Sequence, residues 1–187
     1  PVQDRRDLER GKELDFQLGE DLELRPYQQE WIRRFSEIGS GVYVGPSGSG
    51  KTVAAIGTME QVAGETLILV PKQELATQWK QELIKKTSLS PRQIGEYHGG
   101  KKQIRPVTIA TYQTAGMSRH RKLFDKREWG LIIYDECQHI PAKIHRRTAN
   151  LQSKHRLGLS ASPVREDKKE KEIFTLIGQP IGTDWNS

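Results

Sequence analysis

One cysteine, Cys137, is all that the 187 residues contain. No intramolecular disulfide can form, which points to a reducing compartment, cytoplasmic in a prokaryote or nuclear in a eukaryote. No run approaches the roughly 18 consecutive apolar residues of a membrane helix, so no membrane partner is expected. The opening stretch PVQDRRDLERGKELDF lacks the apolar segment of a signal peptide. Internal repeats and low-complexity tracts are also missing.

Positive charge is in excess. The net charge is +6, and the isoelectric point is about 9.4, a balance that suits a polyanionic partner such as DNA. The cations cluster at 101–102, 118–127, 145–147 and 165–171, and each cluster taken alone reads as a solvated face. Apolar content of 34% and charged content of 29% fit a soluble globular domain.

Residues 1–21 are polar without sustained period and read as an arm or the remnant of a preceding segment. A helix is predicted over 26–38, opened by Pro26 and closed by Gly39, with Tyr27, Trp31, Ile32 and Phe35 near one face. Short apolar runs then alternate with helical patterns. The runs lie at 41–45, 66–71, 106–111, 130–136 and 155–161, with a shorter one at 94–99. The helices are predicted at 51–63, 73–86, 142–151 and 168–177. This alternation predicts an α/β domain, a mostly parallel sheet with helices on both faces.

Between a predicted strand and a predicted helix stands GPSGSGKT, residues 45–52, a phosphate-binding loop in the context that the motif requires. Through Gly45, Pro46, Ser47, Gly48, Ser49 and Gly50, the glycines let the backbone curl so that successive N–H groups face phosphate oxygens. Lys51 reaches the β- and γ-phosphates, and Thr52 offers its hydroxyl to Mg²⁺.

The stretch YDECQH, residues 134–139, admits two readings. As a transition-metal cluster, Cys137 and His139 have only His145 nearby and no second cysteine, too few ligands for zinc. As the end of the buried strand LIIY, it places Asp135 where open α/β sheets hold their ligands. Asp135 then holds Mg²⁺, and Glu136 is the candidate general base for the attacking water. The second reading predominates, with Cys137 a small packed residue.

Together these motifs resemble the first RecA-like domain of superfamily 2 helicases and translocases. LRPYQQEW (24–31), LILVPKQELATQW (67–79), VTIATYQT (107–114) and SAS (160–162) follow in the family's order. The chain resembles more narrowly the xeroderma pigmentosum B (XPB) branch of DNA repair helicases, through LRPYQ, VTIATYQ, DECQHIPA and RLGLSASPVREDKKEKEIFTLIG. The resemblance covers about residues 22–185.

It implies a RecA-like P-loop domain over 22–187, with ATP and Mg²⁺ as cofactors. Arg25 and Gln28 are implied at the adenine, with Lys51, Asp135 and Glu136 catalytic. Pro71, Lys72, Gln73, Thr111, Tyr112, Gln113 and Arg165 are implied on DNA, duplex or single-stranded. His139, Ser160, Ala161 and Ser162 are implied to couple the two sites, and Arg165–Asp167 match an element that assists strand separation. Departures from the family pattern stand at Lys72-Gln73, Cys137-Gln138 and Ser162. No second RecA-like domain fits after residue 162, so the chain is expected to be one half of a motor, nearly inactive alone. Its partners are expected to be that second domain and, through the XPB branch, a repair nuclease or subunits of a transcription and repair complex. The alternatives are the motor of a restriction enzyme or another nucleic-acid translocase, and more distantly a P-loop kinase, a GTPase-like switch or a binding module without turnover. The chain has no guanine-specific N-K-x-D.

Overall fold

The computed structural model describes residues 13–151, 153, 155–161 and 168–182. Ser162 and Arg165–Asp167 lie outside them. In chain order the elements are α1 (Pro26–Ile38), β1 (Ser40–Val44), α2 (Lys51–Val62), β2 (Thr66–Val70), α3 (Gln73–Lys86), β3 (Ile94–His98), β4 (Lys101–Lys102) and β5 (Val107–Thr111). There follow α4 (Tyr112–Ala115), α5 (Lys122–Asp125), β6 (Leu131–Tyr134), α6 (Ala142–Ala149), β7 (His155–Ser160), α7 (Lys168–Leu176) and β8 (Pro180–Gly182).

The strands form one sheet in the order β4-β3-β5-β2-β6-β7-β1-β8. Every pairing is parallel except the hairpin of β3 and β4. The residues of β2, β5 and β6 are all buried, as their unbroken apolar runs require of strands covered on both faces. Side chains alternate between two cores. Tyr43, Ile68, Ile109 and Ile133 enter one core with α1, α2 and α3. Val42, Leu69, Ala110 and Ile132 enter the other with α4, α5 and α6.

α1 shows how sequence becomes packing. Tyr27, Trp31 and Phe35 stand at i, i+4 and i+8 and form its buried face. Trp31 stacks on Tyr43 of β1, their ring centroids 5.1 Å apart, and each such buried aromatic contributes roughly 1.5–3 kcal/mol. Gly39 ends the helix in the left-handed region at φ 89°, where a residue without Cβ is unstrained.

Two features add to the sequence expectation. From Glu13 on, the segment expected as an arm lies against the domain. Leu14 is buried and its N–H bonds the Ala63 carbonyl, while Gly19 N–H bonds that of Lys86. Leu14, Phe16 and Leu18 pack on the first core. The Lys101–Lys102 pair, read as a charge cluster, forms the outer strand of a hairpin.

Because β6, β7 and β1 are neighbours, the segments leaving their carboxyl ends share one rim of the sheet. These are residues 135–139, Ala161 and the 45–52 loop. Among the described residues, no helix is long and apolar enough to cross a membrane.

Candidate nucleotide site

The 45–52 loop leaves β1 and runs into α2. Gly48 and Gly50 take φ values of 82° and 84°, which side chains rarely adopt. At Gly50 a Cβ would also meet Gln28 Nε2 at 2.2 Å. The loop is anchored from below: Gly45 N–H bonds the Ser160 carbonyl of β7 at 3.0 Å. Ser160 is buried, while Ala161 is exposed on the rim.

Lys51 opens α2 and folds back over the loop, donating to the carbonyls of Gly45 and Pro46. Burial pushes its ammonium below the usual lysine range, and the carboxylates of Asp135 and Glu136 oppose that shift. An ammonium so placed, among N–H groups at a helix start, forms an anion cradle.

Asp135 follows β6, and its N–H continues the ladder to the Leu69 carbonyl at 2.9 Å. Three groups fix it. Trp79 Nε1 donates to Oδ2 at 2.9 Å, the Glu136 N–H donates to Oδ1 at 2.9 Å, and the Tyr112 hydroxyl donates to the Asp135 carbonyl at 2.7 Å. Burial raises the carboxyl above the ordinary aspartate value, while Trp79 and the Glu136 N–H pull it back.

Glu136 sits in the left-handed region at φ 47° and ψ 55°. For a non-glycine residue this costs about 1–3 kcal/mol, a kind of strain that concentrates at working sites. Its side chain is exposed on the rim. The turn then enters a short 3₁₀ stretch, Cys137–His139, in which Cys137 is buried and His139 exposed. Burial pushes the Cys137 thiol up to about 12. The zinc reading of YDECQH accordingly has no accessible sulfur ligand. Among the described residues, no three His, Cys, Asp or Glu side chains gather as a metal cluster.

The residues expected at the base also meet the loop. Gln28 is 3% exposed, and both ends of its carboxamide are engaged: Nε2 donates to Gly50 O at 2.9 Å and Oε1 accepts from Arg25 N–H at 2.8 Å. Each end keeps capacity beyond these bonds, one N–H on Nε2 and one lone pair on Oε1. Arg25 is exposed, its Nη1 on the Tyr27 hydroxyl at 3.3 Å. Tyr27 in turn donates to Ser49 O, a support the sequence pattern assigned only to the helix core.

Among the expected nucleic-acid contacts, Pro71, Lys72 and Gln73 stand at the rim after β2, with Lys72 and Gln73 exposed. Thr111 and Tyr112 lie inside. Thr111 is buried and caps α4 through the Thr114 N–H. Tyr112 is 4% exposed beneath Asp135, to which its hydroxyl is committed. Only Gln113 of that trio faces solvent. Sequence reasoning misses the inward roles of Trp79 and Tyr112. For Trp79 the only sequence signal is its place on a helix face with Ala76 and Leu83.

Solved structures share this fold. The UvsW helicase of bacteriophage T4 superposes with a TM-score of 0.69 at 21% identity, covering 89% of this chain and 63% of that one. The Hef helicase domain of Pyrococcus furiosus gives 0.68 at 24%, covering 84% and 37%. At such identities the likeness shows the fold, a RecA-like α/β domain.

The Rad25 protein of Halobacterium salinarum is 66% identical over the whole of this chain, which matches 31% of that protein. The DNA 3′-5′ helicase XPB of Mycobacterium tuberculosis is 51% identical over 85% of this chain and 30% of its own length. The helicase/translocase subunit XPB/SSL2 of the general transcription and DNA repair factor IIH of Saccharomyces cerevisiae is 30% identical, over 95% of this chain and 23% of its own. The chain thus spans a third or less of these curated relatives. A family model described as the res subunit of type III restriction enzymes, ResIII, matches residues 21–165. With the phosphate loop, the carboxylate turn and the parallel sheet in place, this chain belongs to the ResIII family and is similar to the Rad25 and XPB proteins.

Proposed function

We propose that this chain is the ATP-binding half of an XPB-like DNA helicase or translocase, coupling ATP hydrolysis to movement on DNA. The observation that carries this reading is the grip of Trp79 on Asp135. It joins the carboxylate beside the phosphate loop to the helix that begins at the exposed Lys72-Gln73 rim. Nucleotide chemistry and a nucleic-acid track then share one hydrogen bond.

In this reading the 45–52 N–H groups and Lys51 bind the phosphates, and Arg25 and Gln28 lie at the base. The Thr52 hydroxyl and the Asp135 carboxylate are hard oxygen donors, the set that suits Mg²⁺ held with substrate phosphates. When bound, Mg²⁺ supplies charge neutralisation at the transferring phosphoryl group. Exposed Glu136, turned out by its left-handed backbone, accepts the proton of the attacking water. His139, Ser160, Ala161 and Ser162 couple the nucleotide site to the DNA site, and arginine side chains of a second RecA-like domain of the parent chain complete the nucleotide site. Arg165 extends the DNA contact.

The Rad25/XPB names of the similar relatives favour a repair or duplex-opening motor over a restriction motor. The cellular partners that fit are the repair or transcription assemblies that the factor IIH name indicates, in the cytoplasm or nucleus. The test is Glu136→Gln in the full-length parent. ATP binding is expected to persist while DNA-stimulated turnover falls by at least about a hundredfold, as for loss of a general base. Retained turnover, or turnover indifferent to DNA in the wild type, overturns the reading.

A further inference from the structure

Two of the basic clusters that read separately as solvated faces are brought together by the fold. The loop after α4 carries Arg119 and Arg121, and α6 carries Lys143, Arg146 and Arg147. Positions 143, 146 and 147 fall on one face of α6, opposite its buried Ile144 and Thr148. Between loop and helix lies a cavity of about 930 Å³ lined by these five cations and one carboxylate, Asp125.

On α1, Arg33 and Arg34 are neutralised by Glu30 and Glu37 at 2.6–3.0 Å. Among the described residues, none of the five groove cations pairs with a carboxylate. Like charges three and four residues apart on one helix repel, and a concave surface of one sign focuses its potential outward. Beside Arg119 stands His120. Its imidazole is pushed below the usual histidine value first by burial, then by Arg119, Lys102 and Lys122.

The groove's mouth is also placed to continue a track. Gly116 lines it directly after α4, the helix that carries exposed Gln113, and a Cβ on Gly116 would lie 3.7 Å from Lys143 Cβ. The wall offers no aromatic face for bases to stack upon, because its one ring, Phe124, is 8% exposed. Single strands are held largely by such stacking, whereas guanidinium and ammonium groups alone suffice for a duplex backbone.

We propose that this groove is a second, sequence-independent site for the phosphodiester backbone of duplex DNA, separate from the Lys72-Gln73 rim and from the nucleotide site. It rests on the reading of the chain as a DNA motor. The test is fluorescence anisotropy of a short labelled duplex with this chain across a salt series. The proteins compared are the wild type, Arg119→Gln/Arg146→Gln/Arg147→Gln and Lys72→Ala. The triple variant is expected to bind at least about tenfold more weakly at low salt. Its slope of log affinity against log salt should be about 2–3 smaller in magnitude, near 0.9 for each phosphate that the variant no longer neutralises. Lys72→Ala should weaken binding independently, with the two effects adding.

A triple variant that melts as the wild type does and keeps its affinity and slope overturns the groove, as does a loss confined to single-stranded oligonucleotide. Should the triple variant fail to fold, Arg119→Gln and Arg146→Gln on their separate elements decide the matter, each expected to lower the slope by about 1. The motor reading fails by a different measurement, the DNA dependence of ATP turnover in the parent.

Discussion

Trp79 Nε1 donates a hydrogen bond to Asp135 Oδ2 at 2.9 Å. Trp79 lies on α3, inside the helix that starts at the Lys72-Gln73 rim, so any shift of that helix is felt at the carboxylate. The Tyr112 hydroxyl holds the Asp135 carbonyl from the opposite core, on the helix that carries Gln113. Both segments expected to follow DNA therefore end on one residue of the nucleotide site.

Trp79→Phe keeps an aromatic ring in the core and removes only the indole donor. Asp135 loses one of the two bonds that hold its carboxyl down against burial. The full-length parent should then require about 10–100-fold more Mg²⁺ for half-maximal ATP turnover, the usual cost of losing a partner that orients a metal ligand. A magnesium titration of the ATPase checks this, with a thermal melt to show an intact fold. An unchanged magnesium requirement would show that the bond does not tune the site.

Tyr112→Phe separates a buried support from a DNA contact. The lost hydroxyl bond should destabilise the domain by about 0.5–1.5 kcal/mol in urea. DNA affinity should be unaffected, because the ring does not reach solvent. A large loss of DNA affinity in a variant of normal stability would restore Tyr112 to the nucleic-acid surface.

The phosphate loop and the Asp135-Glu136 pair were legible because their chemistry needs fixed residue types at consecutive positions. The strands were legible because burial on both faces demands unbroken apolar runs. The fate of Tyr112 was not. TYQ follows β5 at the rim, and whether its aromatic ring points out or in depends on the helix packed beside it. The packing of Leu14, Phe16 and Leu18 was visible only as a brief alternation within a charged stretch. The basic groove was invisible because residues 119–121 and 143–147 meet only after β6 has crossed between α5 and α6.

Cys137 departs from the family's more common motif, and its surroundings show why a small residue sits there. A Cβ on Gly158 would approach Cys137 Sγ at 2.9 Å and Val42 Cγ2 at 3.2 Å. Gly158→Ala should therefore destabilise by about 1–3 kcal/mol through overpacking, read from the urea midpoint. In the wild type the thiol, buried and pushed up to about 12, should resist alkylation at neutral pH and react only as the domain unfolds. Rapid labelling of native protein would contradict that packing.

Lys51 should show function opposed to stability. Its folded value is lowered from 10.5, chiefly by burial, so at neutral pH the native state holds a charge that the unfolded chain carries more easily. The stability lost to that charge returns as pH rises through the lowered folded value toward the unfolded one. Lys51→Met removes the charge and keeps the apolar stem. At neutral pH the variant should be at least as stable as the wild type, with the gap closing as the solution approaches the ordinary lysine range. The same substitution should abolish ATP turnover in the parent, since no ammonium remains to reach the phosphates. Urea denaturation at the two pH values checks the sign. A variant clearly less stable at neutral pH would show instead that the bonds to Gly45 and Pro46 outweigh the burial of charge.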